Sequence, residues 1–131
     1  GNTDILLAFE KMEALRWIHF LKEGGTAIVN NQAIDPMSVI MGAAHYPEDV
    51  EHEIQEACPN AVILDALAVA KDLGNIKVVN TVLIGTLARH LTIEPEKWEK
   101  AIERNVPSKT IGINIKAFYK GYSILDTKQL I

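Results

Sequence analysis

The sequence is short of the residues that most metal, redox and nucleotide chemistry requires. Its 131 residues include one cysteine, Cys58, which excludes an internal disulfide and any iron–sulfur cluster held by this chain alone. It also lacks a glycine-rich phosphate loop of either common type and a serine in a nucleophile-elbow pattern. No self-contained catalytic motif is therefore visible.

An excess of positive charge and long apolar runs are also missing. With 17 acidic and 13 basic residues the formal net charge is -4, which gives no basic face for nucleic acid. The apolar stretches are strand-sized, well short of the roughly 20 residues that span a bilayer. No positively charged leader precedes an apolar core, and a single cysteine fits a reducing compartment. We therefore expect a cytoplasmic protein that binds neither nucleic acid nor membrane.

Apolar runs of strand length alternate with helical patterns along the chain, and 48% of the residues are hydrophobic. Such alternation predicts a three-layer α/β/α fold with a mostly parallel, Rossmann-like sheet, and the length suits one domain over residues 1–131. The predicted strands are 4–9, 26–29 and 61–64, with a short strand at 39–41. The predicted helices are 10–22, 47–58, 66–73, 76–91, one from 95, and 111–121.

Four polar residues come directly after predicted strands: Glu10, Asn30, Asn31 and Asp65. In open α/β sheets, ligands bind outside the carboxyl ends of the strands, so these four are candidates for a ligand or an interface. The alternative is local, because an aspartate at this position caps the following helix and asparagines close turns.

Two other asparagines are predicted to be structural. Asn75 follows Gly74 in an ordinary helix end. Asn80 lies inside an apolar helical segment, where a buried amide is unfavourable unless it is hydrogen-bonded. We therefore expect Asn80 to be buried and to hold a neighbouring loop in place.

The titratable residues give no convincing metal site or nucleophile. Glu48 and His52 are four residues apart on a predicted helix and could share a metal, but such pairs are common surface neighbours. Cys58 could be a reactive thiol, but beside a helix end and Pro59 a small buried hydrophobe is more usual. We therefore predict no catalytic residue and no metal site in this chain.

Several short motifs occur in a fixed order from Asp4 to about Gly121. They are residues 4–10, Glu13-Ala14-Leu15-Arg16, residues 21–30, Asp65-Ala66 with Ala68, Leu73-Gly74-Asn75, then Asn80, Leu83, Gly85 and Leu87, and finally Trp98, Ala101-Ile102, Val106-Pro107, Asn114, Ala117-Phe118 and Gly121. Their order and spacing resemble the gamma-type domain of 2-oxoacid:ferredoxin oxidoreductases, and most closely the beta subunit of the indolepyruvate enzymes.

The resemblance implies a subunit of an enzyme that oxidatively decarboxylates 2-oxoacids such as pyruvate or indolepyruvate to acyl-coenzyme A in anaerobic metabolism. It implies thiamine diphosphate, iron–sulfur clusters and coenzyme A for the whole complex, with none of them in this chain. The implied partners are an alpha subunit that carries thiamine diphosphate and iron–sulfur clusters, and ferredoxin through the complex. We expect the chain to be inactive alone and to be oligomeric.

Members of this family begin with a strand and a glycine-rich loop that this chain lacks, so residues 1–131 are expected to be the C-terminal portion of a gamma-type catalytic domain. Two other interpretations remain open. The chain could be a stand-alone nucleotide- or coenzyme-binding α/β module that uses the strand ends near Asn30 and Asp65, although the missing phosphate loop is against this. It could also be a small free-standing enzyme, although it has no nucleophile–base constellation.

Overall fold

The computed structural model of the protein describes residues 3–31 and 50–129. These residues belong to two compact units, Gly1–Asp65 and Ala66–Ile131. The predicted strand at 39–41 and the start of the helix at Pro47 lie outside the described residues, and so does Glu48.

The first unit contains a three-stranded parallel sheet in the order β1-β2-β3. Helix α1 connects β1 to β2 and packs against α2, and buried residues of both helices share one core with the sheet. The predicted parallel α/β fold is therefore confirmed. The elements are β1 (Thr3–Ala8), α1 (Lys11–Trp17), a short 3-10 helix (Ile18–Phe20), β2 (Leu21–Asn30), α2 (Val50–Ala57) and β3 (Val62–Leu64).

Strand β2 begins earlier than the sequence pattern predicted, because the first helix is shorter. Thr3 pairs with Leu21 and Ile5 pairs with Thr26, so a five-residue step in β2 lies opposite a two-residue step in β1. Gly24 lies inside this bulge with a φ of 80°, a conformation that residues with a Cβ rarely adopt. Gly24 therefore allows a bulge within β2.

Strand β1 is only partly buried. It forms one edge of the described sheet, where Ile5, Leu6 and Leu7 are half-buried and only Ala8 is fully buried. The buried core of this unit lies further in, at Ala8, Ala14, Ala27, Val29, Val50, Ile54 and Cys58.

The second unit is helical. Its elements are α3 (Ala66–Asp72), a 3-10 helix (Ile76–Val78), α4 (Val79–Arg89), α5 (Pro95–Asn105), a second 3-10 helix (Ser108–Thr110), α6 (Ile111–Tyr122) and α7 (Ile124–Gln129). Helices α4 and α6 form the most extensive packing between any two elements described.

Two glycines allow α4 and α6 to cross with their backbones in contact. A Cβ atom on Gly85 would lie 2.0 Å from the carbonyl oxygen of Phe118, and one on Gly121 would lie 1.8 Å from that of Val82. The buried hydroxyl of Thr86 donates to the carbonyl oxygen of Gly121 at 3.0 Å. The crossing therefore requires glycine on both helices.

Asn114, and not Asn80, is the buried amide at this helix pair. Its Oδ1 accepts a 2.7 Å hydrogen bond from Thr81, and its Nδ2 donates a 2.9 Å bond to the carbonyl of Thr110. Asn80 is exposed, so the prediction that it is buried is wrong. It lies on the opposite side of an almost uniformly apolar helix, whose pattern does not identify the inner face. Asn75 has its expected place at a helix end, where its side chain accepts from the amide of Lys77 at 2.9 Å.

Helix α7 is attached to α4 through Arg89. Its guanidinium donates two hydrogen bonds to the carboxylate of Asp126, at 2.9 and 3.1 Å, and one to the carbonyl oxygen of Tyr122 at 3.0 Å. The hydrogen-bonded guanidinium lowers the pKa of Asp126. The pair is exposed and screened by solvent, so it contributes little to stability.

We expect Gly85→Ala to destabilise the protein by about 1–3 kcal/mol, because the new methyl group forces α4 and α6 apart. Gly112→Ala on α6 is the matched control, since nothing lies within 4 Å of its added Cβ. Removing a glycine from an open helical position should stabilise by about 0.5–1 kcal/mol. Urea unfolding of both variants measures the difference, and equal effects would contradict the close crossing.

We expect Asn114→Leu to lower the free energy of unfolding by about 1–3 kcal/mol, because it removes the bond to Thr81 and leaves a buried position without its polar partners. Asn80→Leu, on the exposed side of α4, should change it by less than about 0.5 kcal/mol. Thermal unfolding of the two variants is the measurement. A larger loss for Asn80→Leu would refute the assignment.

Candidate functional site

The carboxyl ends of all three strands meet at one edge of the sheet, called here the carboxyl edge. Ala8 pairs with Val29 and Asn30 pairs with Leu64, so the three chains leave the sheet side by side. The backbone N–H of Asn31 also donates to the carbonyl of Leu64 at 2.7 Å. The carboxyl edge therefore carries the four residues predicted from the sequence as a ligand or interface site: Glu10, Asn30, Asn31 and Asp65.

The side chains of Glu10 and Asn30 make hydrogen bonds at the strand exits. Glu10 caps α1, because its Oε1 accepts a 2.9 Å hydrogen bond from the amide of Met12. Asn30 is 2% exposed, and its Nδ2 donates to the carbonyl oxygen of Phe9 at 3.3 Å. Both side chains therefore stabilise the exits of β1 and β2 from the sheet.

The other two residues, Asn31 and Asp65, are exposed at the ends of β2 and β3. An amide and a carboxylate at neighbouring strand ends can bind hydrogen-bond donors of a ligand or of a partner backbone. None of the four residues at the carboxyl edge is positively charged. The edge therefore suits a polar or cationic group better than a phosphate.

The remaining titratable residues do not assemble into a metal centre. Among residues 3–31 and 50–129, no three side chains of the His, Cys, Asp and Glu types are grouped to hold a metal ion. His52 contacts Glu56 at 3.1 Å on the exposed face of α2. Cys58 is buried, and its Sγ lies 3.4 Å from the carbonyl oxygen of Gly25. None of the helices described is long and apolar enough to cross a membrane.

A groove in the second unit is a feature that the sequence reasoning missed. It has a volume of about 610 Å³ and lies between α3, α6 and the start of α7. Lys116 and Lys120 are at its rim. Their spacing of four residues places them on one face of a helix and was the available signal. The opposing wall comes from α3, which sequence spacing within α6 cannot identify.

We expect Asn30→Ala to destabilise the protein by about 1–3 kcal/mol, since a buried amide is lost and the carbonyl of Phe9 loses its donor. Asn31→Ala is the matched control, because the Asn31 side chain is exposed and its bond to Leu64 is made by the backbone. It should change stability by less than about 0.5 kcal/mol. Chemical denaturation compares the two, and an unaffected Asn30→Ala protein would show that Asn30 does not stabilise the edge.

Comparisons with known proteins agree on one family. The family model for pyruvate ferredoxin/flavodoxin oxidoreductase matches residues 1–124. The indolepyruvate oxidoreductase subunit IorB of Thermococcus kodakarensis is 37% identical over 126 residues, which are 92% of this chain and 62% of that protein. The same subunit of Pyrococcus horikoshii is 36% identical over 126 residues, with the same shares. The chain thus spans less than two thirds of the length of these curated relatives.

A solved structure gives the same result. The gamma subunit of a keto/oxoacid ferredoxin oxidoreductase from Geobacter sulfurreducens is similar with a TM-score of 0.64 and 26% sequence identity. The match covers 92% of this chain and 62% of that one. The order of motifs, the parallel α/β unit and these similarities lead to one conclusion: this chain belongs to the pyruvate ferredoxin/flavodoxin oxidoreductase family.

Proposed function

We propose that the chain is part of a gamma-type subunit of an indolepyruvate-type 2-oxoacid ferredoxin oxidoreductase, and that it takes part in the oxidative decarboxylation of 2-oxoacids to acyl-coenzyme A. The observation that carries this is the 37% identity to an indolepyruvate oxidoreductase subunit across 92% of the chain. The structural similarity to a gamma subunit of a keto/oxoacid enzyme supports the same assignment.

The residues of this chain do not fit an iron–sulfur cluster. Such a cluster needs several thiolates, whereas the one thiol here, Cys58, is 4% exposed and packs in the core of the first unit. We therefore assign the iron–sulfur clusters, and electron transfer to ferredoxin, to a partner subunit.

The four residues of the carboxyl edge offer no cation that would pair directly with the diphosphate of thiamine diphosphate, because the charged ones, Glu10 and Asp65, are both acidic. We therefore assign thiamine diphosphate to an alpha-type partner as well. The same charge argument disfavours a stand-alone module for nucleotides or coenzyme A, whose phosphates would approach the same edge. In this proposal the chain contributes shape and contacts to the assembly, and it acts on no substrate alone.

We expect the purified chain alone to show no 2-oxoacid-dependent reduction of methyl viologen when it is supplied with thiamine diphosphate and coenzyme A. The full-length natural protein, produced without oxygen together with the thiamine-binding subunit from its own genome, should reduce the dye with indolepyruvate. The partner subunit alone and pyruvate as substrate are the controls. Turnover by the chain alone, or an assembled complex inert toward all 2-oxoacids, would refute the proposed function.

A further inference from the structure

The groove in the second unit has an apolar floor that solvent can reach. Val69 of α3 and Leu73, which follows that helix, form one side, and Ile115 of α6 and Ile124 of α7 form the other. All four are half-buried, so they are neither packed inside the core nor fully exposed. A volume of about 610 Å³ leaves room for several side chains of a binding partner.

One wall of the groove is backed by aromatic packing. The ring of Tyr119 lines the groove and meets Phe118 edge to face, with ring centroids 5.1 Å apart. Phe118 is itself completely buried. Partial burial and a hydrogen bond to Glu99 raise the pKa of Tyr119. The ring of Tyr119 therefore rests against a residue of the buried core.

The rim is polar and carries unpaired positive charge. Asp72, Lys116, Lys120 and Ser123 line the groove and are all exposed. Within the described part of the chain, neither lysine forms an ion pair within 4.0 Å. Lys116 and Lys120 therefore place two positive charges beside the apolar floor.

An apolar floor surrounded by a charged rim is the usual arrangement of a protein–protein interface. We propose that this groove binds a segment of a partner subunit that carries carboxylates beside its apolar side chains. The inference rests on the proposed function, because that function makes the chain a subunit. The apolar side chains of the segment would occupy the floor, and its carboxylates would pair with Lys116 and Lys120.

The first experiment maps what covers the groove in the assembled complex. The full-length natural protein carries the photo-cross-linker p-benzoylphenylalanine in place of Ser123 and is co-produced with its thiamine-binding subunit. Cross-linked peptides identified by mass spectrometry should come from one partner segment that contains apolar residues together with Asp or Glu. The same cross-linker in place of Lys97, which is exposed on α5 and does not line the groove, should not reach that segment.

The second experiment tests the charge of the rim. Lys116→Glu with Lys120→Glu should weaken the complex by about tenfold or more at low ionic strength, and the loss should shrink as salt screens the charges. Lys97→Glu with Lys100→Glu makes the same change of charge on exposed residues of α5 and should leave the affinity nearly unchanged. All four lysines are exposed, so folding of the variants is not at risk.

The outcomes separate this inference from the function on which it rests. Cross-links from Ser123 that are absent, that fall on another copy of this chain, or that fall on a segment without carboxylates overturn the groove assignment. Equal losses of affinity for the two charge variants overturn it as well. In each of these cases an active complex leaves the proposed function standing. A wild-type protein that does not assemble with the thiamine-binding subunit overturns both.

Discussion

The close crossing of α4 and α6 is the contact on which the second unit depends. Gly85 and Gly121 have no side chains, so the backbones of the two helices are in direct contact at these positions. The hydroxyl of Thr86 also donates a hydrogen bond to the carbonyl oxygen of Gly121 on the other helix. Because this contact fixes which face of α6 points inward, it also fixes the outward face. Asn114 and Phe118 face inward, and the lysines at the rim of the groove face out. The groove is therefore a consequence of the crossing.

In the first unit the corresponding constraint is the register of the parallel strands. Near the start of the two strands, β2 has more residues than β1, and the bulge around Gly24 accommodates the extra ones. The strands therefore end at the same level, at the carboxyl edge. Glu10 and Asn30 then serve this geometry by capping α1 and by tying β2 to the end of β1. Of the four candidate residues, Asn31 and Asp65 present exposed side chains at the edge.

The sequence pattern correctly predicted the elements whose limits depend mainly on residues nearby in the chain. The predicted strands at 4–9 and 61–64 and the predicted helix at 111–121 agree with β1, β3 and α6 to within one residue at each end. The start of β2 at Leu21 could not be read this way, because it depends on pairing with Thr3, a residue distant in sequence. The helical spacing of apolar residues predicted that the first helix continues through this stretch. Pairing with β1 places the stretch in a strand instead.

The burial of a single side chain is equally hard to predict from local sequence, as the comparison of Asn80 with Asn114 shows. Both asparagines lie in apolar helices, and α4 is apolar on nearly every side, so its pattern does not identify the buried face. Only the position of the partner helix decides which amide is enclosed. The same distinction holds for the candidate site. The position of the four residues after strands predicted that they would meet at one edge. The hydrogen bonds of Glu10 and Asn30 could not be predicted, because they depend on the backbone around them.

The distribution of charge and sulfur connects the fold to the proposed role. The one thiol is buried in a core, the charged residues among the four at the carboxyl edge are acids, and the exposed lysines of the groove border an apolar floor. With one cysteine, the chain has too few thiolates to hold a cluster. A charged rim around an apolar floor, by contrast, is what recognition of another polypeptide uses. Under the proposed function, the chain is a surface on which the catalytic parts of the complex assemble.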